Sequence, residues 1–101
     1  MSNFSQDQSA FMLAGGQTVG VKNIEQAARY AIHLREEAEE TFGAVSGADF
    51  VKAADGAVDS IVVAIGLLHS LGIDPNAAWD AVHRANMRKV VGGKVYRRPD
   101  G

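Results

Sequence analysis

The residues of this sequence best suited to chemistry are carboxylates set at helical spacing. Glu36, Glu37, Glu39 and Glu40 fall within the run Leu34-Arg35-Glu36-Glu37-Ala38-Glu39-Glu40. Asp55 and Asp59 follow in Asp55-Gly56-Ala57-Val58-Asp59. Residues three and four apart share a helix face. Glu36, Glu37 and Glu40 therefore crowd one side of their helix, and Asp55 and Asp59 one side of the next. Like charges at that density repel unless a cation sits among them. If the two helices face each other, their oxygens suit a hard divalent ion such as Mg²⁺ or Mn²⁺. The competing reading is a solvated acidic face without a ligand.

A second group is cationic and amide-bearing: Asn86, Arg88 and Lys89, then Lys94, Arg97 and Arg98 beyond Gly92-Gly93. Cations at a helix C-terminus are favoured by the helix dipole, which accounts for part of this group without a ligand. Taken together, the acidic and cationic groups are complementary halves of a polyphosphate site, in which metal neutralises phosphate and activates water. No P-loop, GxSxG or dinucleotide glycine pattern is present. His33 lies one turn before Glu37 and could support it, though a structural or surface role weighs more; His69 and His83 read as packing or interface residues. Asp80-Ala81-Val82-His83 has acid-x-x-His spacing, but a di-iron bundle needs that unit twice and with Glu.

Four helices must position these groups. The first spans Gln6 to Ala14 and ends at Gly15-Gly16, with residues 1–20 acting as a flap. The second opens at Asn23, where Asn23-Ile24-Glu25-Gln26 resembles a capping box, and stops at Gly43 after Phe42. Its expected apolar stripe is Ala27, Ala28, Ala31, Leu34, Ala38 and Phe42. Carboxylates near the end of that helix oppose its dipole, a poor choice for stability alone. The third helix starts at Ser46-Gly47-Ala48-Asp49 and runs to Leu71. From Ile61 to Leu71 it is apolar on nearly all sides, which implies that protein surrounds it. A chain this short cannot do so alone, so a subunit interface is expected. Asp55 and Asp59, just before that run, are expected near or inside the core, where carboxylates are costly unless paired or metal-bound. The fourth helix begins with Asp74 as N-cap and Pro75 at its first position. Gly92-Gly93 then releases a basic tail, residues 92–101.

Length and composition bound the rest. The 101 residues make one domain, 1–101, with a modest core. At 47% hydrophobic, 22% charged and net charge -2, the balance is that of a soluble globular protein. It argues against nucleic acid and against an anionic membrane surface as partners. There are no cysteines, hence no disulfide, thiol nucleophile or Cys-based zinc site. A polar N-terminus without signal-peptide order and the absence of a membrane-length apolar run point to the cytoplasm.

Glu36-Glu37-Ala38-Glu39-Glu40 resembles the EExxE element of the all-α nucleoside triphosphate pyrophosphohydrolases, which include MazG-like proteins, dimeric dUTPases and phosphoribosyl-ATP pyrophosphohydrolase. The similarity continues through Asp59 to Gly66, Leu71 to Asp74, Ala85 to Lys89, and the tail Arg97-Arg98-Pro99-Asp100-Gly101, as in short MazG-like proteins. The resemblance implies an all-α, four-helix-bundle-like MazG-type fold assembled as a homodimer or homotetramer. It implies Mg²⁺-dependent hydrolysis of nucleoside triphosphate to monophosphate and pyrophosphate, with Mn²⁺ as a substitute. By position, Glu37, Glu40 and Asp59 would bind metal, and Glu36 would orient the attacking water or hold a further metal. Asn86 and Lys89 match the family's NxxK element and would contact nucleotide, with Lys94 and Arg97 beside them. The Glu of the family's ExxD element falls on Gly56; Asp55, on the same face as Asp59, is assigned that missing role. Base choice, dUTP and dGTP included, depends on pocket shape. The reading from a different class is a non-catalytic helical interaction module, kept open by Gly56.

Overall fold

The computed structural model describes residues 3–97. It holds four helices, α1 (Phe4–Ala14), α2 (Ile24–Ser46), α3 (Phe50–Ser70) and α4 (Pro75–Arg88), followed by a two-stranded ribbon, β1 (Val90–Val91) and β2 (Lys94–Val95). Each helix starts where a short polar side chain accepts from its first turn. Asn3 takes Gln6 N–H, Asn23 takes Gln26, Asp49 takes Lys52 and Asp74 takes Asn76, with Pro75 next in line.

Several boundaries differ from the sequence reading. The first helix begins two residues earlier than expected, because Asn3 caps it. The second passes through Gly43 and ends a turn later, where the Gly47 N–H closes on the Gly43 carbonyl at 2.9 Å. A mid-helix glycine costs only about 1 kcal/mol against alanine, so the helix continues through it, and the added turn buries Ala44. Ser46 therefore closes α2, and Asp49 alone caps α3. The carboxylates of α2 consequently lie well before its last turn, so the dipole argument against them lapses.

The α2–α3 hairpin is the body of the molecule, and small residues let it close. Ala27, Ala44, Ala53, Gly56 and Gly66 are buried along the seam. Large side chains of α2 seat over the two glycines: Thr41 over Gly56 and the Tyr30 ring over Gly66. Tyr30 Oη donates to Gln17 Oε1 at 2.6 Å, tying the segment after α1 to this seam. At the other end His69 Nε2–H donates to the Ser5 carbonyl at 2.9 Å, which fastens α1 to α3. Gln26 Nε2 reaches the Thr18 carbonyl and Ser70 Oγ, both at 2.8 Å.

The α2 face turned to α3 is not the one the apolar stripe suggested. Tyr30, Leu34, Glu37 and Thr41 are half-buried there, whereas Ala28, Ala31, Ala38 and Phe42 are exposed. Phe42, Phe50, Val51 and Trp79 stay 70–77% exposed, and of the buried hydrophobic residues Met12 alone is large. The chain exposes 7454 Å². A folded monomer of its mass exposes about 5,500 Å². Its radius of gyration is 15.7 Å, against about 13 Å for a compact chain of this length. Helix α4 is the outlier: it leans on α3 near Pro75 and leaves an apolar cavity of about 800 Å³ between α3, α4 and the start of α1, lined by Phe4, Ile61, Ile65, Leu68, Trp79 and Val82.

Beyond α4 the expected loose tail is instead a hairpin. Val90 pairs with Val95 and Val91 with Lys94, across Gly92 and Gly93. Both glycines have positive φ, 58° and 79°, the geometry a two-residue I′ turn requires. The expected role of Arg98 to Gly101 falls outside the described residues. Among those described, no helix is long and apolar enough to cross a membrane.

Candidate functional site

Glu37 is half-buried on the α3-facing side of α2, with Glu36 and Glu40 flanking it. Asp59 approaches from α3. The pairing shows in the acidity of Glu37. Partial loss of solvent raises its pKa above the ordinary 4.5, and repulsion from Glu40, Asp59 and Glu36 raises it further; His33 acts in the opposite direction. These four carboxylates thus share one electrostatic neighbourhood: helical spacing groups the three glutamates, and the packing of α3 on α2 adds Asp59.

Asp55 and Asp59 are exposed rather than inside the core. At this level the α2–α3 seam is made by the adjoining face of α3, on which Ala53 and Gly56 lie, so the aspartates sit at its edge, in contact with water. His33 takes the surface role that carried more weight in the sequence. Its Nδ1 lies 3.6 Å from Glu36 Oε2, one turn along an exposed face, so its direct neighbour is Glu36 rather than Glu37.

The surroundings of Gly56 explain in steric terms why the Glu of the ExxD element is missing. A Cβ at this position would overlap Thr41 Oγ1 and stand 3.2 Å from Thr41 Cβ. Thr41 is held in place, since its hydroxyl donates to the Glu37 carbonyl at 2.7 Å. Position 56 is therefore a helix crossing and has no room for a carboxylate. The close approach that excludes a side chain there also brings Asp59 up to Glu37. Sequence reasoning passed over Thr41; its signal was its place one turn after Glu37.

As to a metal, the donor type fits. Hard oxygens from two helices repel one another, and a divalent cation would relieve that repulsion. Among the described residues, however, no three acidic or histidine side chains already converge as a ligand set. The oxygens are near enough to repel but not drawn into a cage.

The cationic group lies elsewhere. Lys89 Nζ contacts Asn86 Oδ1 at 3.4 Å, one turn apart on the last stretch of α4 and its cap. Lys94 follows on the ribbon and Arg97 just beyond it, both exposed. Among the described residues the one ion pair is His33–Glu36, so neither lysine nor Arg97 meets a carboxylate. The structure brings together Glu36, Glu37, Glu40 and Asp59, with Asp55 one turn before Asp59 on α3. It groups Asn86 with Lys89, and the two groups remain apart.

The pKa direction carries a stability prediction. Below pH 4.5, Glu37 is protonated in both folded and unfolded chains, and the repulsion is absent. As pH rises through the raised folded value, the unfolded chain releases its proton first, so stability falls. Glu37→Gln is expected to raise Tm at pH 7 and to leave it unchanged at pH 4, as read by thermal unfolding at both values. An equal shift at both would assign the effect to packing.

The family model for phosphoribosyl-ATP pyrophosphohydrolase matches residues 20–86, which spans α2, α3 and most of α4. No curated protein and no solved structure matches the chain.

Proposed function

The chain belongs to the phosphoribosyl-ATP pyrophosphohydrolase family, within the MazG-like nucleoside triphosphate pyrophosphohydrolases, and from that premise we propose that it converts nucleoside or deoxynucleoside triphosphates to monophosphate and pyrophosphate with Mg²⁺, or Mn²⁺ in its place. The observation that carries this reading is the apposition of Glu37 and Asp59 across the α2–α3 seam, with Glu40 and Glu36 beside them.

In this reading Glu37, Glu40 and Asp59 hold the metal, with Asp55 as a further oxygen donor at the edge. When bound, such an ion would neutralise phosphate charge and lower the pKa of a coordinated water. Glu36, exposed at the rim, takes the proton of the attacking water. A new P–O bond forms at the α or the β phosphorus, the bridge between those two phosphates breaks, and the group on the far side of the bridge leaves with its electron pair, giving monophosphate and pyrophosphate in either case. Lys89, Lys94 and Arg97 bind phosphate oxygens as point charges or forks, and Asn86 orients Lys89 or contacts nucleotide. The protein works as a homodimer or homotetramer on the cytoplasmic nucleotide pool. The apolar surface left open by each chain supports such an assembly.

The test is pyrophosphate release from a panel of ribo- and deoxyribonucleoside triphosphates, with phosphoribosyl-ATP included. Each is assayed with Mg²⁺, with Mn²⁺ and with chelator. Metal-dependent release with a monophosphate co-product is expected. Turnover of phosphoribosyl-ATP alone would move the substrate to that compound. Folded protein that turns over nothing would favour the interaction-module reading, for which the closed position at Gly56 is the supporting observation.

A further inference from the structure

Besides α2, two helices pack on α3, and only one of them borders the carboxylates. Successive helical residues advance about 100° around the axis. On that wheel Ile61, Ala64, Ile65 and Leu68, which face α4, lie roughly opposite Asp59. His69, which fastens α1, lies about 80° from Asp59, on the side of Asp55 and away from Gly56. Helix α1 and the segment that follows it therefore lie along the carboxylate edge of the α2–α3 seam.

Within that segment Gln17 is fixed twice. Its backbone N–H donates to the carbonyl of Met12, itself wholly buried, at 2.9 Å. Its Oε1 accepts from Tyr30 Oη at 2.6 Å, and the Tyr30 ring is seated over Gly66. That separation is an O–H···O distance rather than an N–H···O one. The phenol thus holds the amide oxygen, and the amide nitrogen is left without an acceptor among the described residues. Gln17 is half-buried, so a donor left open there is a cost that a ligand relieves. Tyr30 stands two turns before Glu37 on the α3-facing side of α2, about 10 Å along the axis. A nucleotide whose α-phosphate sits at the carboxylates crosses that interval with its sugar and brings the edge of its base to Gln17.

We infer that Gln17 reads the base, and that its amide, offered as a donor only, selects a keto group at that edge. Guanine presents O6 there, and uracil and thymine O4. Adenine and cytosine carry an amino group at the same place, so donor would face donor. The inference rests on the pyrophosphohydrolase reading for the position of the phosphates. Gln17 lies before residue 20, where the match to the family model begins, so that match gives it no role.

Base preference is measured as kcat/KM for dGTP against dATP and for dUTP against dCTP. It is measured a second time without turnover, as calorimetric binding of the corresponding monophosphates. The unaltered chain is expected to favour each keto base by at least about tenfold, the effect of one hydrogen bond lost. Gln17→Glu keeps the bond from Tyr30 and puts an acceptor where the free donor was, so the preference should reverse toward dATP and dCTP. Tyr30→Phe lets the amide turn over, and both ratios should fall toward one. Circular dichroism checks that helix content is kept. A Gln17 that only holds the chain in place would change all the substrates together and leave the ratios unmoved. That result, or equal use of keto and amino bases by the unaltered chain, overturns the inference and leaves the pyrophosphohydrolase reading standing. Preferential binding of dGMP and dUMP with no triphosphate turned over would sink the enzymatic reading and keep the base assignment. Absence of both binding and turnover would remove the two together.

Discussion

Asp59→Ala is expected to lower kcat/KM for the preferred triphosphate by at least about a hundredfold, since loss of even an outer-shell partner of a metal site costs 10–100-fold. Glu37→Ala should match it. Both variants should keep their helices. Asp59 is exposed and half-buried Glu37 is opposed by three other carboxylates, so each substitution removes repulsion rather than packing. Three measurements decide the matter together: turnover, far-ultraviolet circular dichroism, and a calorimetric Mn²⁺ titration of the uncomplexed protein. Loss of turnover with loss of Mn²⁺ binding and unchanged helix content fits a metal-ligand role. Near-normal turnover in both variants would remove these carboxylates from the mechanism. Collapse of helix content would make them structural.

Gly56→Ala is expected to destabilise the chain, although alanine is the better helix former. The added methyl meets Thr41, whose own Cβ and Cα would stand 3.2 and 3.3 Å away and whose hydroxyl is engaged by the Glu37 carbonyl. Overpacking of this kind costs about 1–3 kcal/mol, against about 1 kcal/mol recovered from helix propensity. The net loss should lower Tm by several degrees, since about 1 kcal/mol corresponds to roughly 4–8 °C in a domain of this size. Thr41→Ala removes the hydroxyl that the methyl would overlap, so the double variant should recover part of the loss. A double-mutant cycle by chemical denaturation reads this as a favourable coupling. Additive effects would mean that the seam opens elsewhere. Gly56→Glu should cost more than Gly56→Ala. It would force a longer, charged side chain between the helices beside Glu37, and activity should fall with the loss of register. Restoring the carboxylate that the resemblance anticipates is thus expected to harm this chain.

Caps, spacing and composition settle locally, and they were legible. Asn23, Asp49 and Asp74 each hold the first turn of a helix because a short polar side chain meets its orphan amides whatever lies further off. The clustering of Glu36, Glu37 and Glu40 on one side followed from the 3.6-residue period alone. The helical class followed from the same signals, whereas the family was reached through the resemblance that Glu36 to Glu40, Asp59 to Gly66 and Ala85 to Lys89 carry.

Tertiary structure decided the rest. Gly43 reads as a stop, yet α2 continues through it to Gly47 and buries Ala44 against α3. The aspartates of α3 read as core residues because of the apolar run that follows them; the seam formed on an adjoining face and left them at the surface. The stripe of Ala28, Ala31, Ala38 and Phe42 reads as the inner face of α2. The seam formed instead over Gly56 and Gly66, where only glycine admits Thr41 and Tyr30. Periodicity specifies which residues share a face, but which face meets a neighbour depends on shape complementarity between helices distant in sequence. The separation of the carboxylates from Lys89, Lys94 and Arg97 was set in the same way, by the side of α3 on which α4 came to lie.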